Sequence, residues 1–332
     1  MVVYNGERFI SKAIQSILSQ TYSNFEFIIV EDGSIDRTLE KVRVFKDPRI
    51  KLIIHENNKG VVVARNTALK ASTGSYIAIL DADDISLHDR LEIQVKFLEK
   101  NPDFGLIGGR AEVIGDDGVK LNRIQSLSLP PEETRVYLLF KNCFTHSSVM
   151  YRKKILENIE FNPDFKVGED YEIIVKIASQ VKIKNLLNIV SQYRVHNKNI
   201  SKEKKLLEEN NQKIISHQLS QLGIDVNEKN MNIHLQLTKM SKHTDLQLIL
   251  DMVDWLDKLF TANQKMNIYP EIAFYNRLAG YWFNLMGNPY QYNIKLLQPY
   301  VKSPILRSSN RKLIDHLKFT VKCLFKYKSR NL

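Results

Sequence analysis

Two short apolar segments that run straight into acidic turns constrain this chain more than any other feature. Phe25 to Val30 (Phe-Glu-Phe-Ile-Ile-Val) stops at Glu31-Asp32-Gly33-Ser34, and Tyr76 to Leu80 stops at Asp81-Ala82-Asp83-Asp84. Short apolar runs closed by turn residues form buried strands. Around them the apolar spacing becomes helical over Phe9–Leu18, Thr38–Phe45 and Val61–Ala71 and from Leu87 to Glu99, with one more strand at Ile50–His55. Strands alternating with helices at such short intervals predict an α/β fold, a mainly parallel sheet flanked by helices. Such sheets bind ligands beyond the carboxyl ends of their strands, where Asp32 and the acids at 81–84 both fall.

The pattern continues with a strand at Gly105–Gly109, a hairpin turn at Gly115–Gly118, a strand at His146–Tyr151, a helix over Tyr171–Ala178 and one or two strands over Ile183–Tyr193. Beyond Ser201 glycine becomes scarce, and the amphipathic stretches Leu206–Leu222, Leu246–Phe260, Pro270–Met286 and Lys312–Phe325 predict a C-terminal helical appendage. The expected division is therefore 1–201 and 202–332, a size that 332 residues accommodate.

The net charge of +11 is concentrated at the C-terminal end, where residues 301–332 carry nine Lys or Arg against Asp315 alone. The remainder is close to neutral, which argues against a general nucleic-acid binder. In the tail Leu313, Ile314, Leu317, Val321, Leu324 and Phe325 share one helical face, and Lys318, Lys322 and Lys326 line another. Such a helix either lies on an anionic membrane surface or docks on its own domain with a solvated basic face. No run of 18 apolar residues predicts a transmembrane helix. Met1 to Gly6 lacks the pattern of a signal peptide, and Cys143 and Cys323 are far apart. The expected setting is cytoplasmic, with peripheral attachment to the inner face of the membrane as an option.

Three carboxylates within four residues at 81–84 repel one another unless a cation or hydrogen-bond donors offset them. Mg²⁺ or Mn²⁺ would do so, sharing oxygen ligands with a diphosphate; a solvated turn capping the next helix is the other reading. Asp32 could accept hydrogen bonds from a base or ribose, or simply close an Asp-Gly turn. Gly60 opens a helix on which Arg65 presents a fork suited to phosphate, although arginines on helices are commonly just surface groups. Glu169 and Asp170 sit at a helix start, as caps do and as a general base could.

Taken together, Tyr4-Asn5-Gly6, Glu31-Asp32-Gly33-Ser34, Gly60-x-x-x-Ala64-Arg65-Asn66, Gly74-x-Tyr76-Ile77 leading into Asp81-Ala82-Asp83-Asp84, and Gly168-Glu169-Asp170 resemble family 2 glycosyltransferases. His146 to Arg152 and Tyr193-Arg194-Val195-His196 fit the same pattern, so the resemblance spans roughly residues 1–200. It implies a GT-A fold with a nucleotide-binding half (1–100) and an acceptor half (101–201), and inverting transfer from a nucleotide-diphosphate sugar, a UDP-sugar first among them, to a saccharide or lipid-linked hydroxyl in cell-surface polysaccharide or glycolipid synthesis. Val3, Tyr4, Glu7 and Asp32 would then lie at the base, with Arg65, Asp81, Ala82 and Arg194 along the rest of the donor. Asp83 would bind Mn²⁺ or Mg²⁺ directly and His196 would contact the metal or the diphosphate, or His196 would merely end a strand. Asp170 would be the base, with Glu169 orienting it or touching the acceptor. The family's first strand is longer than Met1-Val2-Val3, so either the start of the sequence is late or the first strand is shortened here. A nucleotidyltransferase is disfavoured by the missing Gly/Lys-rich phosphate loop, and a non-catalytic scaffold subunit by the presence of both Asp83 and Asp170.

Overall fold

The computed structural model describes residues 1–197, 199, 203–239, 245–286, 294–307, 319–321 and 323. They form two compact units, one of residues 1–135 with 142–211, the other of 136–141 with the described residues from 212 onward.

The first unit opens with β1 (Val2–Val3), α1 (Ile10–Leu18), β2 (Phe27–Glu31), α2 (Thr38–Arg43), β3 (Ile50–Ile54) and α3 (Val61–Ala71). The three strands form a parallel sheet in the order β1-β2-β3. All five residues of β2 are buried because its alternating side chains serve two faces. Phe27 and Ile29 pack with Ile10, Ile14 and Ile17 of α1 and Val42 of α2, while Ile28 and Val30 pack with Ala64 of α3. Burying each such side chain stabilises the fold by about 1.5–3 kcal/mol.

A second sheet follows, built from β4 (Tyr76–Ala78), β5 (Ile85–Ser86), β6 (Phe104–Ile114), β7 (Lys120–Gln125), β8 (Met150–Arg152) and β9 (Lys182–Arg194), in the order β4-β8-β6-β9-β5 with β7 beside β6. Only β6 and β9 pair in parallel here. The turn at Gly115–Gly118 is too short for a crossover, so β7 must return antiparallel along β6. Helices α4 (Arg90–Lys100), α5 (Pro131–Tyr137) and α6 (Glu169–Ala178) complete the elements up to β9. Residues 183–193 lie on one continuous strand. The strand expected over His146–Tyr151 is instead a 3₁₀ turn at His146–Ser148 followed by β8. There Ser148 donates its hydroxyl to the Thr145 carbonyl at 2.7 Å, a local bond that competes with strand pairing.

A wholly buried arginine ties two loops of this sheet together. Arg90 donates through Nη2 to the carbonyls of Ile79 (2.8 Å) and Val149 (3.1 Å) and through Nε to Gln94, which in turn donates to the Ser148 carbonyl. The chain leading into Asp81 and the turn carrying His146 and Ser147 are therefore held in register.

Beyond β9 the described residues are helical: α7 (Lys204–Gln221), α8 (Glu228–Gln236), α9 (Leu246–Met266), α10 (Glu271–Met286), α11 (Leu297–Lys302) and α12 (Pro304–Arg307). The second unit has its own core, in which Trp255, Leu256 and Leu259 of α9 and Phe274, Leu278 and Trp282 of α10 pack with Val136, Leu139 and Phe140. Of the helix expected over Lys312–Phe325, only 319–321 and 323 are among the described residues; Phe319 and Cys323 are buried and Val321 is exposed. The rest of that helix, with Lys318, Lys322 and Lys326, lies outside the described residues.

In this unit the His234 ring is fully buried and stacks on Phe140 at 4.9 Å. Nδ1 accepts the Trp255 indole N–H at 3.1 Å, so Nε2 carries the proton and donates to the Leu139 carbonyl at 3.0 Å. Burial pushes the imidazole down from 6.5 to about 4. A base kept neutral by the fold contributes stability that is complete above its unfolded value of 6.5 and is lost as the pH falls towards 4. We expect this group to cost about 3 kcal/mol across that window. Thermal unfolding followed by calorimetry over the same window should show the loss, and His234→Gln should flatten it.

Candidate active site

At the carboxyl ends of β1 and β2 two turns interlock. Asn5 (φ 51°) donates its amide to Ser34 Oγ at 3.0 Å and accepts from the Ile35 amide at 3.0 Å. The Gly6 amide donates to Thr38 Oγ1 at 2.8 Å, and a Cβ at Gly6 would lie 2.6 Å from the Val3 side chain. Glu7 is drawn into the same seam, accepting from the Arg37 amide at 3.2 Å. Tyr4 stands 46% exposed at the rim, available for stacking, whereas Val3 is buried and its carbonyl accepts the Asp32 amide at 2.9 Å.

Asp32 is more enclosed than the sequence reading expects. Its Oδ1 accepts from His55 Nδ1 at 2.6 Å and from the Lys59 amide at 3.1 Å, and its Oδ2 accepts from the Gly60 amide at 2.9 Å. The carboxylate thus shapes the loop entering α3, where Gly60 adopts φ 90°, a conformation that favours glycine. Only Oδ2, with a single bond among the described residues, retains acceptor capacity for a base or ribose. His55 was not singled out in the sequence, although it closes the strand expected at Ile50–His55.

The centre of the site is Arg65. From the second turn of α3 its guanidinium donates to Asp81 Oδ1 at 2.9 Å and, in a short contact through Nη1, to Glu169 Oε1. It joins the end of β4 to the start of α6, residues 16 and 104 positions away in the chain. Arg65 and Glu169 are nearly buried and Asp81 is 30% exposed. Burial would raise the Asp81 carboxyl, but Arg65 overcomes it, with help from His146 and Ser147, and holds it well below the usual carboxylate range. The Glu169 carboxyl is pushed up by burial against the same positive charge. Ser147 Oγ accepts from the Asp81 amide at 3.1 Å and donates back to Asp81 Oδ2 at 3.2 Å. Asp170 follows Glu169 in the first turn of α6, which Gly168 opens at φ 82°. Its carboxylate is half-buried and accepts from Asn142 Nδ2 at 3.1 Å.

A second network starts two residues after Asp81. Asp83 Oδ2 lies 2.9 Å from His196 Nε2 and 3.4 Å from Asn199 Nδ2, and Phe9 stacks at 4.9 Å on the His196 ring. Ala82, between the two acids, packs on the core that includes Val3 and Leu80. Burial, then the Asp81 charge, pushes the Asp83 carboxyl up; Asp84, deeper still, is pushed well up by burial and by both neighbours. The expectation for Arg194 needs correction. It is 2% exposed and donates to the carbonyls of Asp83 (2.8 Å), Gly115 (3.1 Å) and Asp116 (3.3 Å), while its amide donates to Asp84 Oδ1 at 2.7 Å. Its guanidinium positions the acidic loop instead of reaching along a donor.

Residues 1–160 match the family model Glycosyl transferase family 2. The chain is 37% identical over 206 residues to the Escherichia coli UDP-Glc:alpha-D-GlcNAc-diphosphoundecaprenol beta-1,3-glucosyltransferase WfgD, covering 61% of this chain and 79% of WfgD. It belongs to glycosyltransferase family 2. A Methanocaldococcus jannaschii glycosyltransferase is 33% identical, with 60% of this chain and 70% of that protein covered. The fold is GT-A: the structure of Staphylococcus aureus TarS 1–349 in complex with UDP-GlcNAc matches 99% of this chain and 91% of that one, with a TM-score of 0.55 at 16% identity. The protein is thus a glycosyltransferase.

For a family 2 glycosyltransferase the donor set around Asp83 is suited to a hard divalent cation. Crowded carboxyls raised by burial and mutual repulsion gain from a positive charge, and Mg²⁺ or Mn²⁺ needs only one or two protein ligands when a diphosphate and water supply the rest. Among the described residues no group of three or more His, Cys, Asp or Glu forms a self-sufficient metal cage. Among the described residues, too, no helix is long and apolar enough to cross a membrane.

Proposed function

We propose that this glycosyltransferase transfers a sugar from a UDP-sugar to a hydroxyl of a lipid-diphosphate-linked saccharide, with inversion. The observation that carries the reading is the Arg65 bridge, which holds the donor-side Asp81 and the α6 start, with Asp170, in one network. Asp170 takes the proton from the acceptor hydroxyl while that oxygen bonds to the anomeric carbon. The bond from that carbon to the phosphate oxygen breaks on the opposite face, and the nucleoside diphosphate departs with the electron pair. One displacement inverts the anomeric centre.

Tyr4 stacks on the base, Asp32 Oδ2 and the neighbouring Val3 and Glu7 backbone border it, and Ala82 lies along the ribose. Asp81 keeps Arg65 and Ser147 in place at the ribose. Asp83, with His196 behind it, holds Mn²⁺ or Mg²⁺, which when bound offsets charge on the diphosphate. The 37% identity to WfgD supports a uridine donor and a lipid-linked acceptor. The basic segment after residue 300 would bring the enzyme to the anionic membrane surface where such acceptors reside.

Calorimetric titration with UDP, GDP and CDP, with and without Mn²⁺, tests the reading. UDP is expected to bind about tenfold or more tightly with the metal, and Asp83→Asn to remove that gain. Metal-independent binding would remove the assignment of Asp83, and binding of GDP or CDP alone would overturn the choice of donor.

A further inference from the structure

The 3₁₀ turn at His146–Ser148 contains one side chain that its surroundings leave incomplete. Ser147 is bonded to Asp81, Ser148 to the Thr145 carbonyl, and Thr145 to Ser126 Oγ at 2.6 Å. His146 is 8% exposed, yet neither ring nitrogen has a hydrogen-bond partner among the described residues. Its Nδ1 stands 3.6 Å from Asp81 Oδ1, close enough for their charges to interact but too far for a well-formed hydrogen bond. The ring has little freedom to seek a partner. Arg90 and Gln94 clamp the backbone of Val149 and Ser148, and Phe161 meets the imidazole edge-on at 6.0 Å.

Buried polar groups are normally bonded, and an orphan in a site region calls for an explanation. We propose that a hydroxyl of a bound sugar completes His146, making it a sugar-binding, specificity-determining residue; this rests on the nucleotide-sugar reading above. Position and chemistry both select the ligand. His146 lies beside Asp81 on the donor side and close enough to Glu169 for their charges to interact, and Glu169 adjoins the base Asp170. Asp81 and Glu169 disfavour a second anion here, so the partner is a neutral hydroxyl and not the diphosphate. An imidazole nitrogen suits a hydroxyl, which can accept from an N–H or donate to a bare ring nitrogen. The hydroxyl belongs either to the transferred sugar or to the acceptor.

His146→Leu and His146→Asn, whose amide is too short to reach, separate these sources. UDP and UDP-glucose binding with Mn²⁺ is measured by calorimetry, and acceptor KM with an N-acetylglucosaminyl diphospholipid in detergent. Both variants should bind UDP within about twofold of the parent. A contact to the transferred sugar weakens UDP-glucose binding about tenfold or more; a contact to the acceptor raises its KM by a similar factor. The inference is overturned if a folded variant changes neither quantity, or if UDP affinity falls in parallel with UDP-glucose affinity, the mark of a structural role. If the parent protein binds neither UDP nor UDP-glucose but binds GDP or CDP, the choice of donor fails first and the variants are compared on that nucleotide and its sugar; if it binds none of the three, the nucleotide-sugar reading itself fails.

Discussion

Asp170→Asn is expected to slow sugar transfer by about 10²–10⁴-fold while leaving UDP affinity within about twofold. The amide keeps the size of the side chain and can still meet Asn142, but it cannot accept the acceptor's proton. Among the described residues Asp170 makes no hydrogen bond to the β1–β2 turns or to Asp83, so nucleotide binding should not register the change. Radiolabelled sugar transfer and calorimetry on the same preparation check both halves. Parallel losses in rate and in UDP affinity would mean that Asp170 supports the fold of the site and is not its base.

The second large effect is expected at Arg65. Arg65→Met keeps much of the aliphatic volume but strands two carboxylates, one of them on Glu169, which is nearly fully buried. Breaking a buried pair by removing one partner costs about 3–5 kcal/mol, and here the lower end applies because Asp81 remains 30% exposed. Urea denaturation should show that loss, and the double variant Arg65→Met, Glu169→Gln should recover part of it because one stranded charge is gone. Transfer should be severely reduced in both variants, since neither holds the start of α6 to Asp81. An Arg65→Met protein as stable as the parent would show that the bridge carries no net stabilising energy.

The parts of this site that were legible in the sequence are those governed by local rules. α3 begins and ends where its apolar spacing starts and stops, at Val61 and Ala71, because a glycine with positive φ opens it. The acids at 81–84 follow β4, which is half-buried and ends at Ala78, two residues short of the Leu80 that the apolar run suggests. What local rules do not encode is pairing at a distance. Arg65, Asp81 and Glu169 were each identifiable, but not that one guanidinium serves both carboxylates. Arg194 belongs to the same class: the family resemblance puts it near the diphosphate or metal, and only the fold shows its guanidinium donating to the carbonyls of Asp83, Gly115 and Asp116. Asp32 looked like a ligand contact, and His55 with the amides of Lys59 and Gly60 takes up most of its capacity. The expected strand over His146–Tyr151 begins only at Met150, after a 3₁₀ turn in which the Ser148 hydroxyl bonds back to the Thr145 carbonyl.

Residues 136–141 belong to the second unit although the chain on either side of them belongs to the first. During synthesis Val136, Leu139 and Phe140 leave the ribosome while the partners they pack against, from Ile215 onward, are still untranslated. At about 5–20 residues per second that interval is on the order of 4–15 s, a long exposure for three apolar side chains. Any protein cut at a boundary near residue 211 would make the exposure permanent. The enzyme therefore has two bodies but no single point of scission, and its helical half is built into the order in which the catalytic half can finish folding.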